Sequence, residues 1–181
     1  MKKLKEIYFL GMYLISLPLN FIKRNKISSK TRISSNAKIS RSEIGKYCYI
    51  ANNTNIINAK IGNYTSIAPG VQIGGMEHSY WWHSTSTFLS DQCESNKRTI
   101  IEDDVWIAAG SVIKQGVKIG RGSVIGAMSF VNKDVPENSI VVGIPAKFLK
   151  KRMNEEIFAA LSDTEFWLYS PHKAKNLLNN I

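Results

Sequence analysis

Residues 74–90 hold two of the chain's three histidines and two of its four tryptophans, in the run Gly74-Gly75-Met76-Glu77-His78-Ser79-Tyr80-Trp81-Trp82-His83-Ser84-Thr85-Ser86-Thr87-Phe88-Leu89-Ser90. Histidine suits a general base. Its pKa of about 6.5 leaves it mostly neutral at cellular pH, able to take a proton from an attacking hydroxyl or amine. A base works better when an acceptor holds its second ring nitrogen and so sets the tautomer. A backbone carbonyl or Glu77 is the expected holder, with Asp91, Glu94 and an ordered water as the other options. Large rings left in water gain nothing. Tyr80, Trp81 and Trp82, with His83 beside them, are therefore expected to meet a neighbouring subunit or to line an acceptor pocket. His172, far along the chain, reads as structural or exposed.

Other chemistries are poorly supported. Cys48 and Cys93 are far apart in sequence, with no Cys or His at metal-ligand spacing. Free thiols in a cytosolic protein are the plain reading, one disulfide is the alternative, and no metal site is expected. The formal charge is +10, from 24 Lys and Arg against 14 Asp and Glu. Seven basic residues (Lys2, Lys3, Lys5, Lys23, Arg24, Lys26 and Lys30) fall in the first thirty, opposed only by Glu6. Such a surface suits nucleic acid, anionic lipid or a phosphate-rich small molecule. No helix-turn-helix, zinc-finger or single-strand-binding pattern is present, so nucleic acid is not expected. No glycine-rich nucleotide fingerprint is present either.

The scaffold that must position the loop announces itself by periodicity. Ile27, Ile33 and Ile39, then Ile44, Ile50 and Ile56, then Ile61, Ile67 and Ile73 recur every six residues, with one residue missing at each change of triplet. Ile101, Ile107, Ile113, Ile119, Ile125 and Val131 then recur without a slip, after a break of 27 residues. A period of six fits neither the helix repeat nor simple strand alternation. It fits a solenoid of short strands joined by tight turns, with one aliphatic side chain inward per strand. Three hexads close a triangular coil, so the fifteen positions predict about five coils. Glycines after the aliphatics, such as Gly45, Gly62 and Gly120, suit tight corners, and Asn52, Asn53, Asn63 and Asn132 are expected turn residues. Residues 74–100 break the count and must leave the coil as a loop, where chemistry is usually placed.

Residues 1–26 form a segment apart from the coil domain at 27–145, and 146–181 form a helical tail. The apolar run at 7–22 is short for a spanning helix, Pro18 interrupts it and no small-x-small cleavage site follows. A helix capping the lower end of the solenoid is the preferred reading. An interfacial helix held by basic flanks and a membrane or secretion signal are the alternatives. In the tail a helix is expected over 154–161, with Glu155 and Glu156 in its first turn and Ile157, Phe158 and Leu161 over the upper core. Residues 173–181 read as a frayed extension.

The repeats, and above all the runs Asp104-Val105-Trp106-Ile107-Ala108-Ala109-Gly110, Gly116-Val117-Lys118-Ile119-Gly120, Asn132-Lys133-Asp134-Val135-Pro136 and Val142-Gly143-Ile144-Pro145-Ala146-Lys147, resemble the hexapeptide-repeat acyltransferases. The resemblance is strongest to the branch of xenobiotic (streptogramin and chloramphenicol) acetyltransferases and surface-polysaccharide O-acetyltransferases. It implies a left-handed parallel β-helix with a protruding loop and short terminal helices, assembled as a homotrimer with active sites between subunits. It implies acetyl-CoA as acyl donor, His78 as catalytic base and the Ala109 backbone N–H as oxyanion donor. Glu77 is carried as the group orienting the base. Trp106, Ala108, Ala109 and Ala127 are expected along the donor, with Lys133, Lys147 and Lys150, joined by Lys151 and Arg152, offered to its phosphates. Met128 stands where many relatives have glycine, which places a thioether on that track.

The implied reaction is O-acetylation of a sugar or surface-polysaccharide hydroxyl, by direct attack. The alternatives are an antibiotic acetyltransferase, a sugar N-acetyltransferase and an inactive binding or scaffold homologue. The expected location is cytoplasmic, with the N-terminus able to touch the inner face of the membrane.

Overall fold

The computed structural model describes residues 24–90 and 97–181. Its strands are two to six residues long and fall into three sheets that make the faces of a prism. The first face stacks Lys26–Ile27, Glu43–Ile44, Ala59–Ile61, Thr99–Ile101 and Lys118–Ile119. The second stacks Arg32–Ile33, Tyr49–Ile50, Ser66–Ile67, Trp106–Ile107, Val124–Ile125 and Ser139–Gly143. The third stacks Lys38–Ser40, Asn55–Ile57, Gln72–Gly74, Val112–Ile113 and Phe130–Val131. All of these pairings are parallel. The second face has six such layers, so the solenoid makes about six coils, not about five. Counting hexads missed the last coil because the six-residue spacing lapses after Val131. Val135, bridged to Ile119, and Val141 carry it instead.

The register is that of the aliphatic ladder. Ile27 pairs with Ile44, Ile44 with Ile61, Ile61 with Ile101 and Ile101 with Ile119. Ile50, Ile56, Ile67, Ile107, Ile119 and Ile125 are wholly buried, each stabilising the fold by about 1.5–3 kcal/mol through area removed from water. Lower coils take seventeen residues, as from Ile27 to Ile44, and upper coils eighteen, as from Ile101 to Ile119. The missing residue falls at the corner where the third face turns into the first. The long loop inserts at that same corner.

Gly45, Gly62 and Gly120 are needed for close approach: a Cβ on each would collide with the backbone of the next coil. The left-handed turn positions are other residues. At the corner between second and third faces they stack as Asn53, Gly70, Gly110 and Met128.

Beyond 145 the chain departs from the expected helical tail. Ala146–Lys151 returns antiparallel along Ser139–Gly143 and covers the sheet edge, which would otherwise present unpaired N–H and C=O groups. Helix α1 spans Glu155–Asp163, capped by the Asn154 side chain accepting from the Glu156 N–H, with both glutamates in its first turn. Phe158 is buried beside Gly122, but Ile157 is exposed. The tail runs down the corner between first and second faces: Phe166, Trp167 and Ala174 bury together against Tyr64 and Leu161. Residues 173–178 are helical and not frayed. Pro171–Leu178 forms helix α2, begun by Pro171, whose missing N–H is harmless in a first turn. The expectations for the segment before residue 24 lie outside the described residues. Among the described residues no helix is long and apolar enough to cross a membrane.

Candidate active site

The loop leaves the prism after the strand Gln72–Gly74 and rejoins it at Thr99–Ile101. Gly74 makes the exit: its φ is +70°, and a side chain there would strike the Ile57 carbonyl oxygen. Ser79 is the anchor, buried and 3.3 Å from the Ser90 hydroxyl. Between these fixed points His78 is exposed, and its Nδ1 lies 2.7 Å from the Thr85 carbonyl oxygen. A carbonyl can only accept. In the neutral ring the proton therefore sits on Nδ1, which leaves the lone pair on Nε2.

Of the two expected holders of His78, the backbone carbonyl is the one in place. Glu77 faces away into an ion pair with Lys114 at 3.2 Å, which ties the loop to the third face. Tyr80, Trp81, Trp82 and His83 are all exposed, Tyr80 to 72%. Tyr80 and Trp81 meet edge to face at 5.1 Å, and Trp82 lies 5.4 Å from the His83 ring. They form a ring-lined surface that no element of the same chain covers among the described residues.

The second set of residues lies at a different corner. Trp106 projects from the second face, and Ala108, Ala109 and Gly110 make the turn onto the third. The Ser111 hydroxyl lies 2.9 Å from both the Ala108 and Gly126 carbonyls and fixes that turn. The Ala108 N–H donates to Ile125 and the Gly110 N–H to Pro69. Between them the exposed Ala109 N–H has no acceptor among the described residues, and the Ala127 N–H one coil above repeats the arrangement. Met128, with φ of +58°, lays its sulfur over Gly110 and is 66% exposed. The thioether thus stands beside the Ala109 turn. Farther up, Lys147 pairs with Val142 and Lys150 with Ile140, and both lysines are exposed.

Lys133 is elsewhere. With Lys97 and Lys114 it lines a hollow of about 200 Å³ at the base of the histidine loop. Lys151 and Arg152 are engaged: Lys151 with Glu155 at 2.7 Å, Arg152 with Asp104 at 2.8 Å and the Gly122 carbonyl at 3.0 Å. Burial pushes the Asp104 carboxyl up, an effect Arg152 opposes. Arg152 therefore clamps the tail to the prism. One chain brings His78 and Lys133 to one corner, and Ala109, Ala127 and Lys147 to another. Two features carried no sequence signal: the Thr85 carbonyl, a backbone group, and the Arg152–Asp104 pair, 48 residues apart.

Comparison with known proteins adds to this geometry. The bacterial transferase hexapeptide family (six repeats) matches residues 98–133, which hold the Ala109 turn, Ala127 and Lys133. A hexapeptide-repeat-containing acetyltransferase of Vibrio cholerae is similar with a TM-score of 0.61 at 32% identity, over 69% of this chain and 72% of that one. Complexed with acetyl coenzyme A, the same protein gives 0.66 at 29% identity, over 75% and 74%. A galactoside acetyltransferase in complex with coenzyme A gives 0.63 at 26% identity, over 86% and 82%. Chloramphenicol acetyltransferase of Klebsiella aerogenes is 36% identical over 116 residues, 58% of this chain and 55% of that protein. The chain spans about half the length of the curated chloramphenicol acetyltransferases it matches.

Proposed function

The chain belongs to the hexapeptide-repeat acetyltransferases, and from that premise we propose that it transfers an acetyl group from acetyl-CoA to a hydroxyl of a sugar or surface polysaccharide. The observation that carries the reading is the hydrogen bond from His78 Nδ1 to the Thr85 carbonyl. It selects the neutral tautomer whose lone pair is on Nε2, on an exposed, ring-lined loop.

In this reading the acceptor hydroxyl gives its proton to His78 Nε2 as its oxygen attacks the thioester carbonyl carbon. The new C–O bond forms, the negative charge collects on the former carbonyl oxygen, and the Ala109 N–H donates to it. Collapse breaks the C–S bond, and the proton held by His78 passes to the leaving sulfur. No covalent acyl-enzyme is required. Burial pushes the Cys48 thiol up to about 11 and leaves it a poor nucleophile at neutral pH.

With the Ala109 N–H on the thioester oxygen, the donor's amide-bearing arm suits the Ala127 N–H one coil above, with Lys147 and Lys150 beyond for its phosphates. Because His78 and Ala109 occupy different corners of one prism, the site is completed by a second copy. A head-to-tail contact that closes gives a cyclic homotrimer with three equal clefts. The partner surface also covers Tyr80, Trp81 and Trp82.

The sugar acceptor is supported by the galactoside-acetylating relative and by the exposed rings of the loop, since aromatic faces pack on sugar rings. The chloramphenicol acetyltransferase likeness supports a second reading, an antibiotic acceptor, with the same base and donor site. An acetyl-CoA turnover screen over nucleotide-sugars, oligosaccharides, chloramphenicol and a streptogramin separates them. Turnover of glycans is expected; fast turnover of an antibiotic and of no glycan would overturn the sugar assignment.

A further inference from the structure

Charge is unevenly distributed along the stack. Residues 24–60 carry eight basic side chains and one acid, Glu43, whereas residues 97–165 carry ten basic against nine acidic. All eight basic residues of the lower part are exposed. Lys26 and Lys60 stand on the first face, Arg32 on the second and Lys38 on the third. Lys30, Arg41 and Lys46 fill corners between them. The positive groups encircle the lower end of the prism and do not line one side of it.

Above this collar, residues 61–76 contain no charged residue at all. At the loop's corner Arg98 reaches down to Glu43 at 3.3 Å, but the collar itself is spread over three faces and forms no single track toward His78. Coils are stacked about 4.8 Å apart, which makes the first two about 10 Å deep. Electrostatic screening in physiological salt acts over about 8 Å. Counted over the described residues alone, the basic groups of the collar lie within about one to two screening lengths of the lower end.

We propose that this collar docks the protein end-on against a membrane surface of anionic phospholipids, with the ring-lined loop held above the headgroups. The proposal does not rest on the acetyl-transfer reading. A plane of lipid phosphates matches a ring of exposed cations on all three faces, as a single groove-bound ligand would not.

Co-sedimentation of the full chain with unilamellar vesicles tests it. Binding is expected to vesicles mixing phosphatidylcholine with phosphatidylglycerol, and not to phosphatidylcholine alone. Raising salt from about 0.1 M to about 1 M, which shortens the screening length from roughly 10 Å to roughly 3 Å, should release the protein. The full-length variant carrying K26Q, K30Q, K38Q, R41Q, K46Q and K60Q should bind at least about tenfold more weakly, with an unchanged melting temperature. Undiminished binding by a folded variant would overturn the collar. Equal binding to both vesicle types would overturn it too, as would capture of a soluble anionic polysaccharide with none of the mixed vesicles. Turnover of a soluble acceptor, measured on the same variant, should not change, so the docking and the chemistry are scored separately.

Discussion

Ile73 and Phe88 are fifteen residues apart, yet the first is 1% exposed and the second 97%. Ile73 lies between Ile56 and Ile113 on the third face, its neighbours one coil down and one coil up. The coil needs nothing but another coil. Phe88, like Tyr80 and Trp81, has no such neighbour, because the loop departs where the repeat is interrupted. The contrast separates two tasks. The prism is satisfied within one chain, and the loop presents a base and rings that no described element of the same chain covers.

Replacing His78 with alanine strikes the loop alone, and gives the largest expected effect. Acetyl transfer should fall by about 10²–10⁴-fold with the melting temperature and acetyl-CoA binding kept. Loss of folding would mean that the loop is part of the prism's stability after all. The converse is Ile107→Ala, at the centre of the prism, which should cost about 2–5 kcal/mol of unfolding free energy. Chemical denaturation checks it, and a loss below about 1 kcal/mol would contradict close packing of the ladder.

Much of this division can be read in the chain itself. Inward aliphatics at six-residue spacing are side-chain information, so the ladder, the break at 74–100 and the aromatic loop all follow from residue types. The last coil hides because Val135 and Val141 fall off the count. The strand Ala146–Lys151 hides because its pairing is antiparallel and outside the repeat. His78 stands out by type and setting, but the Thr85 carbonyl that sets its tautomer is a backbone group that any residue supplies. Glu77 suggests itself by adjacency, and Lys114, 37 positions on, takes it instead. Lys133 reads as one of a group with Lys147 and Lys150, yet the coil sends it to the other corner.

A pH series probes the prism from another side. Burial raises the Cys48 thiol from 9.0 to about 11, so the unfolded thiol ionises first. The associated stability is complete below about pH 9 and is lost as pH climbs toward 11, by roughly 2–3 kcal/mol. Cys48→Ala should flatten that alkaline limb; an identical limb in the variant would contradict the burial. A smaller effect is expected at the donor corner. Met128→Gly removes the thioether beside Ala109 and leaves the left-handed turn to a residue that adopts it freely. Stability should move by less than about 1 kcal/mol, while turnover of butyryl-CoA relative to acetyl-CoA rises about tenfold, the scale of a methylene in an apolar pocket. An unaltered ratio would place the acyl group away from Met128.

If the base and the oxyanion donor come from different copies, two variants each lacking one of them restore activity when mixed. His78→Ala removes the base, and Ala109→Pro removes the N–H at a turn position that Pro69 already occupies one coil below. Each variant alone should be folded and nearly inactive. Random mixing of equal amounts pairs an intact His78 with an intact Ala109 in about a quarter of the clefts of a cyclic assembly. The mixture should therefore recover about a quarter of the native activity. A mixture no more active than its two components would place the whole site within one chain and contradict the account.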